Sequence, residues 1–151
     1  MDWTEAPKLV PELDVSDLET SLVFYTRILG FTVLYQRPEE AFACLELEAA
    51  WLMLEAADGP GRRFRTAPLV KPFGRGANLQ IQVRDVRAAH RRYLTAGYEP
   101  LIPLETRTYR VEATERRLLQ FVAVDPDGYL LRLCSEGEDR DPDLLGGQSA
   151  L

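Results

Sequence analysis

Val15-Ser16-Asp17-Leu18, followed by Ser21, Phe24-Tyr25 and Leu29-Gly30-Phe31, is echoed by Val83-Arg84-Asp85-Val86, followed by Ala89, Arg92-Tyr93 and Ala96-Gly97-Tyr98. Eight residues separate the Asp from the Tyr in both copies. An alternating stretch precedes each Asp, Glu12 to Val15 in one copy and Asn78 to Val83 in the other. Self-similarity at fixed spacing marks a repeated supersecondary unit, so one fold unit is used twice.

Outward from the first copy, Leu9 to Val15 alternates as a strand does, and Pro11, which cannot donate to a ladder, suggests an edge or exchanged position. Ser16 or Asp17 caps a helix with Leu18, Leu22, Tyr25, Ile28 and Leu29 at helical spacing, and Gly30 closes it. Phe31 to Gln36, Ala41 to Leu47 and Trp51 to Glu55 read as three further strands, with turns at 37–40 and 48–50. The second copy repeats the order. A strand at Asn78 to Val83 and a helix at Asp85 to Thr95 precede strands near Glu99 to Leu104, Leu118 to Val124 and Tyr129 to Cys134. Asp125-Pro126-Asp127-Gly128 turns between the last two. The expected organisation is one domain over 1–134, with repeat one at about 8–57, a connector at 58–77 and repeat two at 78–134, then an acidic tail at 135–151.

The connector is broken by Gly59, Pro60, Gly61, Pro68, Pro72, Gly74 and Gly76 and carries Arg62, Arg63, Arg65, Lys71 and Arg75; it is a solvated linker or a binding lid. A chain of 151 residues with 46% hydrophobic content can bury an ordinary core without staples. Cys44 and Cys134 fall in different repeats with no second ligand nearby, which indicates neither a disulfide framework nor a zinc site. No apolar run long enough to span a membrane occurs and the N-terminus is acidic, so the expected location is the cytoplasm. Of the net charge of -6, the tail's Glu136, Glu138, Asp139, Asp141 and Asp143 against Arg140 supply all but two units, so the balance says little about a cleft. That tail reads as solvated and poorly ordered. No basic stripe interleaved with aromatics points to nucleic acid.

Pro11-Glu12-Leu13-Asp14-Val15-Ser16-Asp17, Phe24-Tyr25, Leu29-Gly30-Phe31 and Asp125-Pro126-Asp127-Gly128-Tyr129-Leu130 resemble the glyoxalase, bleomycin-resistance and extradiol-dioxygenase group, the vicinal oxygen chelate superfamily, over residues 9–134. Arg37-Pro38-Glu39-Glu40-Ala41-Phe42, Leu52-Met53-Leu54-Glu55 and Pro72-Phe73-Gly74-Arg75-Gly76 look most like its bleomycin resistance branch. The resemblance implies an α+β fold of two βαβββ modules with curled mixed sheets forming a concave cleft, paired across a homodimer. Exchange of the N-terminal strand between subunits is expected, given Pro11.

Enzymes of that group hold a divalent metal through four cleft-facing positions, which register here on Val10, Met53, Asn78 and Arg132. None is a good ligand for such a cation. A register error of two residues would bring in Glu12, Glu55 or Gln80. The expectation is therefore no metal, no cofactor and no catalytic residue. His90, the only histidine, lies mid-helix beside two arginines and reads as a packing or surface residue.

Alternation assigns Leu13, Val15, Ala43, Leu45, Leu47, Leu52, Leu54, Leu79, Ile81, Val83, Leu131 and Leu133 to the core. The opposite faces then present Glu12, Asp14, Phe42, Glu46, Trp51, Asn78, Gln80, Gln120 and Arg132, to which Tyr109 is added as a stacking ring. Carboxylates, amides and aromatic rings suit a large cationic ligand with flat rings. The bland alternative is two half-exposed sheet faces covered by a dimer partner. Resemblance to the bleomycin branch implies sequestration of a cationic glycopeptide antibiotic without chemical change. The Trp-Tyr-Arg motif common in that branch is reduced here to Thr108-Tyr109-Arg110. The rival reading is a metal-dependent lyase, isomerase or dioxygenase of the same superfamily.

Overall fold

The computed structural model describes residues 3–137 and shows the strand–helix–three-strand order twice. The first module comprises β1 (Glu12–Val15), α1 (Leu18–Val23), β2 (Thr32–Arg37), β3 (Phe42–Leu47) and β4 (Ala50–Ala56). The second comprises β5 (Asn78–Gln82), α2 (Val86–Thr95), β6 (Ile102–Val111), β7 (Thr114–Val124) and β8 (Leu130–Glu136). Each module makes a mixed sheet, ordered β1-β4-β3-β2 and β5-β8-β7-β6. The first strand of each sheet pairs parallel with the last, and the other pairings are antiparallel. The fold is thus α+β, built from two βαβββ modules.

Local chemistry explains the helices. Asp17 and Asp85 cap α1 and α2 by accepting from the backbone N–H groups of Thr20 (2.6 Å) and Ala88 (2.8 Å). Past α1 the chain relaxes into a π-helical turn, Phe24–Leu29, that ends on Gly30 at φ 92°, a left-handed value glycine adopts without strain. The repeated tyrosines, Tyr25 and Tyr93, are both fully buried.

The core lies between the sheets and the helices, and all the strand residues that alternation assigned inward belong to it or pack against it. The Asp125-Pro126-Asp127-Gly128 turn joins the modules. Asp125 accepts from the N–H groups of Asp127 (2.9 Å) and Tyr129 (2.8 Å) and from the Tyr25 hydroxyl (2.8 Å). Asp127 accepts from the Ser16 N–H (2.9 Å) and hydroxyl (2.5 Å) and pairs with Lys71 at 3.1 Å. Gly128 sits against Pro72, where a Cβ would collide.

Two strand expectations need correction. The first strand starts at Glu12 rather than Leu9, because Pro11 has no N–H for the ladder; its carbonyl still accepts from the Met53 N–H at 2.9 Å. The strand placed near Glu99 to Leu104 begins at Ile102 and continues to Val111, and its partner begins at Thr114 rather than Leu118. Alternation does not find this hairpin extension, since most side chains in 107–115 are polar and all but Tyr109 are exposed. The connector holds no helix or strand, and no helix among the described residues is long and apolar enough to cross a membrane. The tail beyond Gly137 lies outside the described residues.

Candidate functional site

The candidate residues divide between the two outward sheet faces. On the first sheet, β1–β4 register sets Glu12 opposite Met53 and Asp14 opposite Glu55. The β3–β4 register then sets Met53 opposite Cys44, Glu55 opposite Phe42 and Trp51 opposite Glu46. Residues opposite one another share a face, so Glu12, Asp14 and Glu55 form a carboxylate cluster at one corner. Burial pushes the Glu12 carboxyl above its ordinary range, and a hydrogen bond with Glu55, with the charges of Glu55 and Asp14, pushes it further. Glu55, which is 4% exposed, pairs with Arg63 at 3.1 Å, and Asp14 accepts from Arg65 Nε at 2.7 Å. Glu12 has no ion pair among the described residues.

Beside the carboxylates stands an aromatic wall. Trp51 meets Trp3 edge-on at 5.6 Å, and Trp3 meets Tyr35 edge-on at 5.8 Å. Phe42, read from the sequence as an open stacking face, is only 2% exposed and has the Arg37 guanidinium 3.7 Å over its ring. Trp51 and Tyr35, both half-buried, are the rings this face leaves for a ligand.

On the second sheet, Gln80 stands opposite Arg132 and Gln120 opposite Glu105. Arg132 donates to Gln80 Oε1 (2.6 Å) and to the Tyr109 hydroxyl (3.3 Å). The Gln120 amide in turn donates to Tyr109 (2.8 Å) and Glu105 (3.4 Å). Four of the sequence candidates therefore make one network, with Asn78 exposed at the start of β5. The first set's polar side-chain contacts among the described residues stay on its own sheet or run to the connector, and the second set's stay on the second sheet. Within one chain the two halves of the candidate site do not touch through them.

The superfamily's metal does not fit these residues. Val10 has no donor atom, Met53 offers a thioether opposite Glu12, and the Arg132 guanidinium is spent on Gln80 and Tyr109. No group of three or more His, Cys, Asp and Glu among the described residues is placed to hold an ion. His90 packs edge-on against Phe121 at 5.0 Å, and burial lowers its pKa, as suits a packing residue.

The sequence reading brings in Glu55 only through a two-residue register error and the connector arginines only as part of a linker or lid, and it does not single out Tyr35, Trp3 or Glu105. Glu55 was legible in principle, being two residues beyond Met53 on the same face; the others reach the site through tertiary packing.

A family model described as Glyoxalase/Bleomycin resistance protein/Dioxygenase superfamily matches residues 10–133. Among solved structures, a protein from the mobile metagenome of V. pseudocholerae is 19% identical, with 88% of this chain and 96% of that chain covered and a TM-score of 0.67. TioX from Micromonospora sp. ML1 is 20% identical, covering 87% and 100%, at a TM-score of 0.65. A bleomycin-binding protein complexed with bleomycin is 22% identical, covering 87% and 100%, at 0.58. These likenesses show the fold. No curated protein matches the chain.

Proposed function

We propose a function from one premise: the chain belongs to the glyoxalase/bleomycin resistance protein/dioxygenase superfamily, whose model matches it over 10–133. The protein reversibly binds a small cationic ligand with flat rings, of which a bleomycin-like antibiotic is the suggested case, and sequesters it without chemical change. The observation that carries this reading is Glu12, hydrogen-bonded to Glu55 and beside Asp14 but without an ion pair among the described residues, on the same sheet face as Trp51 and Tyr35. A carboxyl raised first by burial and then by neighbouring carboxylates gains from an added cation, and the rings add stacking and cation–π attraction. The absence of a competent donor set at Val10, Met53, Asn78 and Arg132 speaks against metal-dependent lyase, isomerase or dioxygenase chemistry at those positions.

Because the acidic face and the Arg132–Tyr109–Gln120 face share no polar side-chain contact within a chain among the described residues, this reading completes the site in a homodimer, the first sheet of one subunit facing the second sheet of the other. The amide and hydroxyl groups of that second face orient the ligand. Calorimetry with bleomycin tests the reading: saturable binding with a Kd of about 10 μM or below is expected. Trp51→Ala or Glu46→Gln should weaken it by about 1 kcal/mol. Truncation after Glu136 should leave affinity within a few-fold, since this reading assigns the charge that holds the ligand to the acidic face and not to the tail. Absence of heat, or recovery of a chemically altered drug, would overturn the assignment.

A further inference from the structure

The connector lies on the acidic corner and answers its charge. Arg63 is built in: its Nε donates to the Ala57 carbonyl at 3.0 Å, its Nη2 to the carbonyls of Ala56 (2.7 Å) and Gly59, and its Nη1 pairs with Glu55. Gly61 lets the chain come down on Glu55, since a Cβ there would collide with the carboxylate. Arg65 is held more lightly, by Asp14 and by one carbonyl, that of Ala57 (2.5 Å), and it belongs to an exposed residue. Between them Phe64 points outward, 74% exposed. Under the connector a cavity of about 400 Å³ opens, lined by Glu12, Asp14, Glu55, Arg65, Leu69 and Tyr129 among others.

Resting on the cation-binding reading above, we propose that the connector is an internal competitor: Arg65 occupies Asp14 in the ligand-free protein and must be released before a multiply charged cation can use Glu12 and Asp14 together. Arg63 is fixed by three backbone carbonyls besides Glu55, so it remains as a hinge post. Arg65 has one such anchor, the Ala57 carbonyl. A ligand with one positive charge finds Glu12 without an ion pair among the described residues and enters the cavity with the connector closed; a ligand with two must displace Arg65 from Asp14. The connector therefore discriminates by charge number, and its release frees the Asp14 side of the cavity.

Agmatine, which carries an amine and a guanidinium, is the probe, with binding measured by calorimetry on full-length protein. Arg65→Gln should tighten agmatine binding about five-fold, the worth of a freed surface ion pair. Adding Asp14→Asn to that variant should abolish the gain. Arg75→Gln, in the same connector but bonded to the Pro72 and Lys71 carbonyls and outside the cavity lining, should change nothing. Amide hydrogen exchange over 58–66 should rise when agmatine is added to the wild type and start high in Arg65→Gln. Weaker or unchanged agmatine binding by Arg65→Gln, or no agmatine binding by any variant, overturns the proposal. Bleomycin is titrated in parallel. If Arg65→Gln gains agmatine affinity while no variant binds bleomycin, the competitor stands and the antibiotic assignment falls.

Discussion

Tyr25 and Asp125 show how one buried pair ties two modules together. The Tyr25 hydroxyl donates to Asp125 at 2.8 Å from a helix in the other module. Burial holds Asp125 above its ordinary range, although Tyr25 and the amides of Tyr129 and Asp127 pull it down. Its folded pKa thus exceeds its unfolded value of about 3.9, so its contribution is fullest below that value and is lost as pH rises through the folded one. Tyr25→Phe strands a buried carboxylate oxygen and should cost about 1–3 kcal/mol at neutral pH by denaturant unfolding, and less near pH 4 where the carboxyl can take a proton. Equal losses at both pH values would contradict this. Glu12 follows the same sign, its raised pKa meaning that ionisation is delayed. Cation affinity should fall on acidification at a pH above the ordinary glutamate range, and Glu12→Gln should remove that dependence in a pH series of calorimetric titrations. Neither shift was legible in the sequence. Both come from neighbours far apart in the chain or on adjoining strands.

Strand and helix identity came through well at the level of elements, because caps, glycines and alternation act locally. Asp17, Asp85 and Gly30 punctuate the helices as their chemistry requires. The β3–β4 hairpin is an instructive exception: Glu48 (φ 47°) and Ala49 (φ 70°) both take left-handed backbone without the Asn-Gly signature. Glu48 has a reason to be there, since its Oε2 accepts from the Arg84 N–H at 2.7 Å in the other module. Ala49 has none in the structure. Ala49→Gly should therefore stabilise the protein by about 1 kcal/mol, read as a raised denaturant midpoint at unchanged slope. The β6–β7 hairpin is not legible in the sequence over 107–115 because its residues there, the half-buried Tyr109 excepted, are exposed, so burial imposes no apolar period.

For the whole molecule, the division of the candidate site between two sheets makes association a requirement of the proposed function. Light scattering should return twice 17.1 kDa, and deletion of residues 1–11 should weaken the dimer if the first strand is exchanged between subunits. A monomer at micromolar concentration would leave the two faces without a common ligand. Chelator treatment should leave the melting temperature unchanged and elemental analysis should find no stoichiometric transition metal; one tightly held ion per subunit would restore the enzyme reading. The repeat, the two βαβββ modules and the inward strand residues were determined by the sequence itself, since periodicity and caps depend on neighbours a few positions away. Only the tertiary structure decided that Glu55 joins Glu12 and Asp14, that Arg37 covers Phe42, that Trp3 meets Trp51, and that Arg63 and Arg65 already occupy the carboxylates. Those facts depend on strand register and on where a connector without helix or strand comes to rest, and both are set by contacts between residues distant in the chain.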